Sequence, residues 1–365
     1  MTHRERLLRT LRHESVDRPP DFEFGAWQQT LDRWHKEGLP AEYAGGAISR
    51  YFHTDDAEYG PSPHVNIGLL PGFEYKVLER KGDHIIVQDN DGAIAEMIRP
   101  ELGASIPHYH RHAIETRADW EKIRDEKLNP DTPGRIPANL DDLCKLTYDA
   151  EYPTSIHCGS LYGWIRGWMG VQNLSLAFYD DPEWVEEMME YLTWMRLKIY
   201  ENLAGKCKID WGHWWEDMCF NKGPLISPKF FWKYMVPRYK RITDFLRNEC
   251  GCEFHILDCD GNIHELVEPW LEGGINVMFP VEAPHTDGYK IADQFGKRVA
   301  IRGYFDKLAL IAGKEAIDAE FERLEPLLKR GGFIPHTDHL VPPDVSWENY
   351  NYYRQRKCEF IGKTQ

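Results

Sequence analysis

Apolar and polar positions change their period several times along this chain, and each change marks an element. Thr2 followed by Glu5 forms a capping box that opens a helix through about His13. An extended run, Asp21 to Phe24, follows, and Trp27–Lys36 returns to helical spacing before Gly38. From about Tyr75 to Met97 apolar and polar residues alternate around Asp89-Asn90-Asp91-Gly92, a hairpin turn signal. This predicts an antiparallel hairpin insertion over about 75–98 that projects from the main body. Pro100 to Pro153 mixes loop with short helix.

From Thr154 onward the pattern is regular. Short apolar runs alternate with long helical stripes, among them the stripe Val185, Met188, Met189, Leu192, Ile199 and Leu203 that starts at Asp181-Pro182. A helix from Ser227-Pro228, one over about Glu315–Arg330 and one beginning near Ser346 continue the series. Strands are expected to end near Phe24, Cys158, His213, Leu257, Phe279, Ile301 and Pro335. Strands this short and apolar, separated by helices, imply parallel pairing with right-handed crossovers. No GxGxxG follows any strand, and polar residues end many strands rather than one switch point. The expected fold is an α/β (β/α)8 TIM barrel occupying residues 1–365 as one domain.

Composition narrows the setting. A net charge of −15 argues against nucleic acid and membrane as partners. The charged start lacks the apolar core of a signal peptide, and no apolar run reaches a membrane span. The eight cysteines are scattered, which suits reduced thiols and a cytoplasmic location.

The candidate chemistry lies at the strand ends, because a barrel gathers them at one mouth. The stretch EFHILDCDGNIHE reads as strand, glycine turn and helix, and puts Asp258 and Asp260 on one face. Two carboxylates sharing a face need a cation, a proton or a substrate group between them, although Asp260 could instead cap the next helix. Other strand ends contribute Glu23, His157, His213, Glu216, Asp217, Glu282, Arg302, His336 and His339. Asp258, Asp260 and His339 could supply the three ligands of a divalent metal, with zinc the first expectation. Cys259 has the opposite parity and is expected to pack sideways. Trp164, Trp168, Trp211, Trp214 and Trp215 are expected to divide between core and stacking surface.

Several blocks resemble one family: RERLLRTLRHESVDRPP, GSLYGWIRGWMGVQNL, FYDDPEWVEEMM, EDMCFNKGPLISPKFF, LDCDGNIHELVEPWLEGGIN, IRGYFDK and GGFIPHTDHLVPPDVSWENYNYY. In fixed order they resemble the uroporphyrinogen decarboxylase superfamily across nearly the whole chain. The resemblance implies a (β/α)8 barrel with its cleft at the carboxyl ends of the strands. True decarboxylases carry an arginine-rich RQAGR block after the first strand, where this chain reads FEFGAWQQ. A porphyrinogen's carboxylates need cationic partners, so that substrate is not expected. The corrinoid-dependent methyltransferases of the same superfamily bind zinc through a His-x-Cys pair and a later cysteine. By block alignment these fall on Asp258, Asp260 and His339, so the thiolates are replaced by oxygen and nitrogen.

The expected function is therefore methyl transfer between a small methylated substrate, of the O-methyl kind, and a corrinoid carried by a partner protein, with metal assistance. In this reading Glu216 or Glu282 is the general acid or base, and Arg302 takes part in catalysis. Glu23, His157, His213, Asp217 and His336 are expected to bind substrate. The alternative is a decarboxylase or lyase for a small carboxylic acid held by Arg302; a barrel that only binds a ligand is a third reading. Homo-oligomerisation is left open.

Overall fold

The computed structural model describes residues 1–43, 47–55, 60–99 and 106–364. Thr2 caps the first helix, His3–Leu11, with the reciprocal Thr2–Glu5 bonds of a capping box. The insertion is a four-stranded antiparallel sheet in the order β1-β2-β3-β4. Its strands are β1 (Lys76–Lys81), β2 (His84–Gln88), β3 (Ile94–Ile98) and β4 (His108–Arg111). The expected hairpin turn joins β2 to β3, and Asp89 Oδ1 accepts from the amides of Asp91 and Ala93. The sheet extends beyond the expected range, since β4 pairs with β3 after a stretch, 100–105, that lies outside the described residues. β4 reads His-Tyr-His-Arg and is exposed throughout, so it carries no apolar alternation to betray it.

The main body holds β5 (Ser155–Gly159), β6 (Trp211–Trp215), a two-residue ribbon of β7 (Cys219–Phe220) and β8 (Gly223–Pro224), then β9 (Phe254–Asp258), β10 (Val277–Val281), β11 (Ala300–Phe305) and β12 (Phe333–Thr337). Six of these strands form one parallel sheet in the order β12-β11-β10-β9-β6-β5, with helices between them in sequence. Most run beyond their expected ends, to Trp215, Val281, Phe305 and Thr337. A change to polar residues does not end a strand here, because alternate side chains point into the barrel, where an open mouth tolerates polarity.

The floor of the barrel shows how it closes. Phe22 packs in one cluster with Trp211, Phe254, Val277, Ala300 and Ile334, which come from β6, β9, β10, β11 and the edge strand β12. Leu7 and Leu11 of the first helix join this cluster and plug its base. Ala26 makes a parallel bridge to Val341, and the Gly60 amide donates to Pro153 O just before β5 (2.6 Å). The 21–26 and 60–67 stretches thus complete an α/β barrel of the (β/α)8 kind without forming regular ladders. The expected strand at Phe24 is irregular for this reason. Among the described residues, no helix is long and apolar enough to cross a membrane.

The same first stretch is anchored by charge. Asp21, fully buried, accepts from Arg354 Nη1 and Nη2 (3.0 and 2.8 Å) and from Lys363 Nζ (2.7 Å), with Lys357 Nζ at 3.2 Å. Glu23 accepts from Arg354, from Lys357 Nζ (2.6 Å) and from the Tyr353 hydroxyl (3.1 Å). All these donors except Lys363 lie on the last helix, Trp347–Ile361. This corrects the expectation that Glu23 binds substrate: its oxygens are committed to the ion network that docks the C-terminal helix.

Burial alone would raise the Asp21 pKa, but Lys357, Arg354 and Lys363 outweigh it and hold the carboxyl far below its usual range. Its stabilisation is therefore present at neutral pH and fades only in acid. Asp21→Ala would leave buried cations uncompensated and is expected to cost about 3–5 kcal/mol. Urea unfolding at neutral pH measures this; a loss under about 1 kcal/mol would contradict the anchoring role.

Candidate active site

Strand register decides which side chains meet at the mouth. His157 of β5 lies beside His213 of β6, His213 beside Ile256 of β9, and Trp215 beside Asp258. Asp258 in turn lies beside Phe279 of β10. With Arg302 of β11 these residues line a cavity of about 640 Å³. Ser62 and His64, from the irregular 60–67 stretch, complete the wall. Below this polar layer sits the apolar floor of Trp211, Phe254, Val277 and Ala300.

Arg302 is buried and donates from Nε to His336 Nε2 (3.0 Å), while its guanidinium lies 4.4 Å from the Phe279 ring centre and 5.3 Å from that of Phe22. His336 Nδ1 is 2.6 Å from the Thr337 carbonyl. A proton on Nδ1 leaves Nε2 free to accept from Arg302. Burial, then Arg302 and Lys357, hold His336 well below its usual pKa. His336 is thus a neutral support behind Arg302 rather than a substrate contact. His213 is lowered to about 3 by burial and then by Arg302. His157 opens onto the cavity, and the protein around it together with Arg196 lowers its pKa. His157 and His213 are thus both held toward the neutral form.

Asp258 moves the other way. Burial, then Asp260 and Asp217, raise its pKa to about 7, against the opposing pull of Arg302 and His339. Its carboxyl therefore exchanges a proton in the physiological range, inside the cavity. Asp260 Oδ2 is 3.4 Å from His339 Nε2, and its Oδ1 is buried without a hydrogen-bond partner among the described residues. Burial works against the charged His339 ring, but the bond to Asp260 and the carboxylate's charge outweigh it, so the pKa is raised. His339 also packs edge-on against Phe24 and over Trp27. Asp260 does not cap the next helix, which runs over His264–Glu272 with Ile263 at its N-cap position.

The expected ligand set of Asp258, Asp260 and His339 does not fit a zinc centre as arranged. Asp260 and His339 form an ion pair while Asp258 lines the cavity, and among the described residues no three His, Cys, Asp or Glu side chains are grouped to hold an ion.

Other expected residues have different duties. Glu216 is fully buried and saturated: it accepts from Ser160 Oγ (2.7 Å), the amides of Leu161, Tyr162 and Gly163 (2.8, 2.8 and 2.9 Å) and the Tyr239 hydroxyl (2.6 Å). It ties the start of helix Gly163–Met169 to β6 and is not available as an acid or base. Asp217 has φ 42° and pairs with Arg166 (2.7 Å), whose guanidinium covers Trp215. Glu282 accepts from the Gly261 amide (2.7 Å) and from Lys307 Nζ (3.2 Å), bracing the turn after Asp260 rather than lining the cavity. Cys259 packs sideways as expected, its Sγ accepting from the Met218 amide (3.4 Å), and all eight cysteines are free and buried. Trp168, Trp211 and Trp214 are buried, whereas Trp215 opens onto the cavity.

Two measurements follow. A carboxyl whose folded pKa exceeds its unfolded value stabilises fully below the unfolded value and loses that contribution as pH rises through the folded one. Asp258→Asn is therefore expected to stabilise the protein at about pH 8, by on the order of 2–4 kcal/mol, and to be near neutral at about pH 4. Thermal unfolding across that range checks it; equal stability at both ends would contradict the buried carboxyl. Glu216→Ala, which strands three amides, is expected to cost roughly 2–4 kcal/mol in urea unfolding.

The geometry can be set beside known proteins. Residues 97–356 match the family model described as Uroporphyrinogen decarboxylase (URO-D). A uroporphyrinogen decarboxylase of Geobacter sulfurreducens is 26% identical over 256 residues, 65% of this chain and 68% of that one. The Geobacter metallireducens enzyme is 25% identical over 254 residues, with the same shares covered. Among solved structures, a methyltransferase from Methanosarcina mazei aligns over 99% of each chain with a TM-score of 0.58 and 14% identity, a likeness of fold. The family match covers most of the barrel and all six strands of its sheet, and on that basis this chain belongs to the uroporphyrinogen decarboxylase (URO-D) family.

Proposed function

We propose that this chain is an enzyme that removes a methyl group from the oxygen of a small, carboxylated aromatic compound and passes it to a corrinoid carried by a partner protein. The observation that carries this reading is the sequence of groups around the cavity wall: Asp258, the Phe279 ring, and the Arg302 guanidinium over that ring. Arg302 would hold the carboxylate through charge-assisted bonds. Phe279 and Trp215 would flank the aromatic ring. When the methyl carbon–oxygen bond breaks, its electron pair stays on oxygen, and Asp258 supplies the proton that turns it into a hydroxyl. The corrinoid would supply the nucleophile that accepts the methyl group. The neutral His157 and His213 neither repel a bound cation nor compete with Arg302 for the carboxylate.

A uroporphyrinogen does not suit this cavity. Arg302 is the one lysine or arginine in its lining among the described residues, so most of such a substrate's carboxylates would be unpaired beside Asp258. A second reading follows from the family's decarboxylases: Arg302 holds a small carboxylic acid, and Asp258 protonates the carbon left after carbon dioxide departs.

The assay incubates the protein with methoxybenzoates and a reduced corrinoid protein, and follows phenol and methyl-corrinoid formation. Asp258→Asn is expected to lower kcat by on the order of 10²–10⁴, and Arg302→Met to raise KM. The rate should fall as pH rises through about 7, where Asp258 gives up its proton. Carbon dioxide release without methyl transfer would overturn the lead reading in favour of the second.

A further inference from the structure

The wall of the barrel is not laddered all the way round. β5 is the edge of the parallel sheet, and among the described residues the 60–67 stretch beside it forms no regular ladder with it. A second chamber, of about 370 Å³, lies between that stretch and β5. It shares Ser62, His64 and His157 with the main cavity, so the two spaces adjoin across side chains. His64, at this partition, has a left-handed backbone (φ 50°), which a residue with a side chain keeps only where its surroundings impose it.

Position and lining together say what the chamber can hold. Around the eight-membered wall, Arg302 of β11 and His157 of β5 stand four strands apart in either direction, on opposite sides of the mouth. A molecule with its carboxylate on Arg302 therefore points its far end toward His157 and the chamber beside it. Val65, Ile67, Ile156 and Trp164 give that chamber apolar sides, and no lysine, arginine, aspartate or glutamate lines it. The main cavity, by contrast, carries both Asp258 and Arg302. A second charged group would be desolvated in the chamber without a partner, whereas an uncharged ring would gain apolar contact. The 66–68 side of the chamber is pinned from behind. Arg135, fully buried, donates to the carbonyls of Asn66 (3.0 Å), Gly68 (2.7 Å), Asn129 (2.6 Å) and Lys127 (2.6 Å), and Asn66 Oδ1 accepts from the Gly68 amide (2.9 Å). Gly68 keeps the space open, since a Cβ there would meet only Asn66 Oδ1 at 3.7 Å and the Trp164 ring at 4.0 Å.

We propose that this chamber receives an uncharged second ring of the substrate, so that the substrate class is a two-ring aromatic carboxylic acid rather than a single benzoate. The placing of that acid's carboxylate on Arg302 rests on the reading of the main cavity given above. The chamber's selection of a neutral ring does not, and it is measured without turnover.

The probes are benzoate and biphenyl-4-carboxylate, titrated calorimetrically into the full-length protein. The biphenyl is expected to bind about tenfold or more tightly, from burial of its second ring. Gly68→Leu, which fills the chamber, should remove that gain while leaving benzoate affinity and the thermal unfolding temperature close to wild type. Gly68→Ala, the smaller change, should remove part of it. Biphenyl-4,4′-dicarboxylate, which would carry a charge into the chamber, should bind about tenfold or more weakly than the monocarboxylate. Equal affinity for benzoate and the biphenyl, a gain that survives both Gly68 variants, or a dicarboxylate bound as tightly as the monocarboxylate would each overturn the proposal. Arg302→Met should weaken benzoate and the biphenyl by the same factor. If it weakens neither while Gly68→Leu still removes the gain, the carboxylate anchor of the catalytic reading fails and the chamber's role stands.

Discussion

In a parallel barrel every second side chain of each strand points inward, and that constraint governs this protein. On β6 the inward set is Trp211, His213 and Trp215, and on β9 it is Phe254, Ile256 and Asp258, level with each other through the ladder. The lower members make an apolar floor, sealed by Phe22 and by Leu7 and Leu11 of the first helix. The upper members cannot be covered in the same way and become the lining of the cavity. One periodicity therefore produces both the core that stabilises the barrel and the surface that does its chemistry.

Burying ionisable groups in that upper layer sorts them by charge. The histidines lose their protons and the aspartate keeps its own, since desolvation disfavours the charged form of each. Arg302 is supported by a neutral His336 and by the face of Phe279. The result is one fixed cation and one exchangeable proton, separated by an aromatic ring. That pair can grip an anionic group and protonate a leaving atom, whichever bond is broken between them.

Much of this was legible in the sequence. The strand–helix alternation gave the barrel, and the change from apolar to polar residues located Asp258, His157, His213 and Arg302, all of which line the cavity. Glu216 and Glu23 were misjudged because position alone does not say whether a carboxylate's donors are already in place. Glu216 meets three amides at the start of a helix, and Glu23 meets Arg354 and Lys357 from a helix more than three hundred residues away. Asp258, Asp260 and His339 share a mouth but not a coordination sphere, because spacing fixes a face and not a distance. His64 and Ser62 went unnoticed since their stretch has no strand periodicity.

The central claim is that Arg302 and Asp258 address two ends of one small substrate across Phe279. A crystal structure of the protein with a bound methoxybenzoate tests it most directly. The account predicts the carboxylate on Arg302, the ring against Phe279, and the ether oxygen within hydrogen-bonding distance of Asp258. A ligand with its carboxylate turned to solvent, or with its methoxy group away from Asp258, would contradict it.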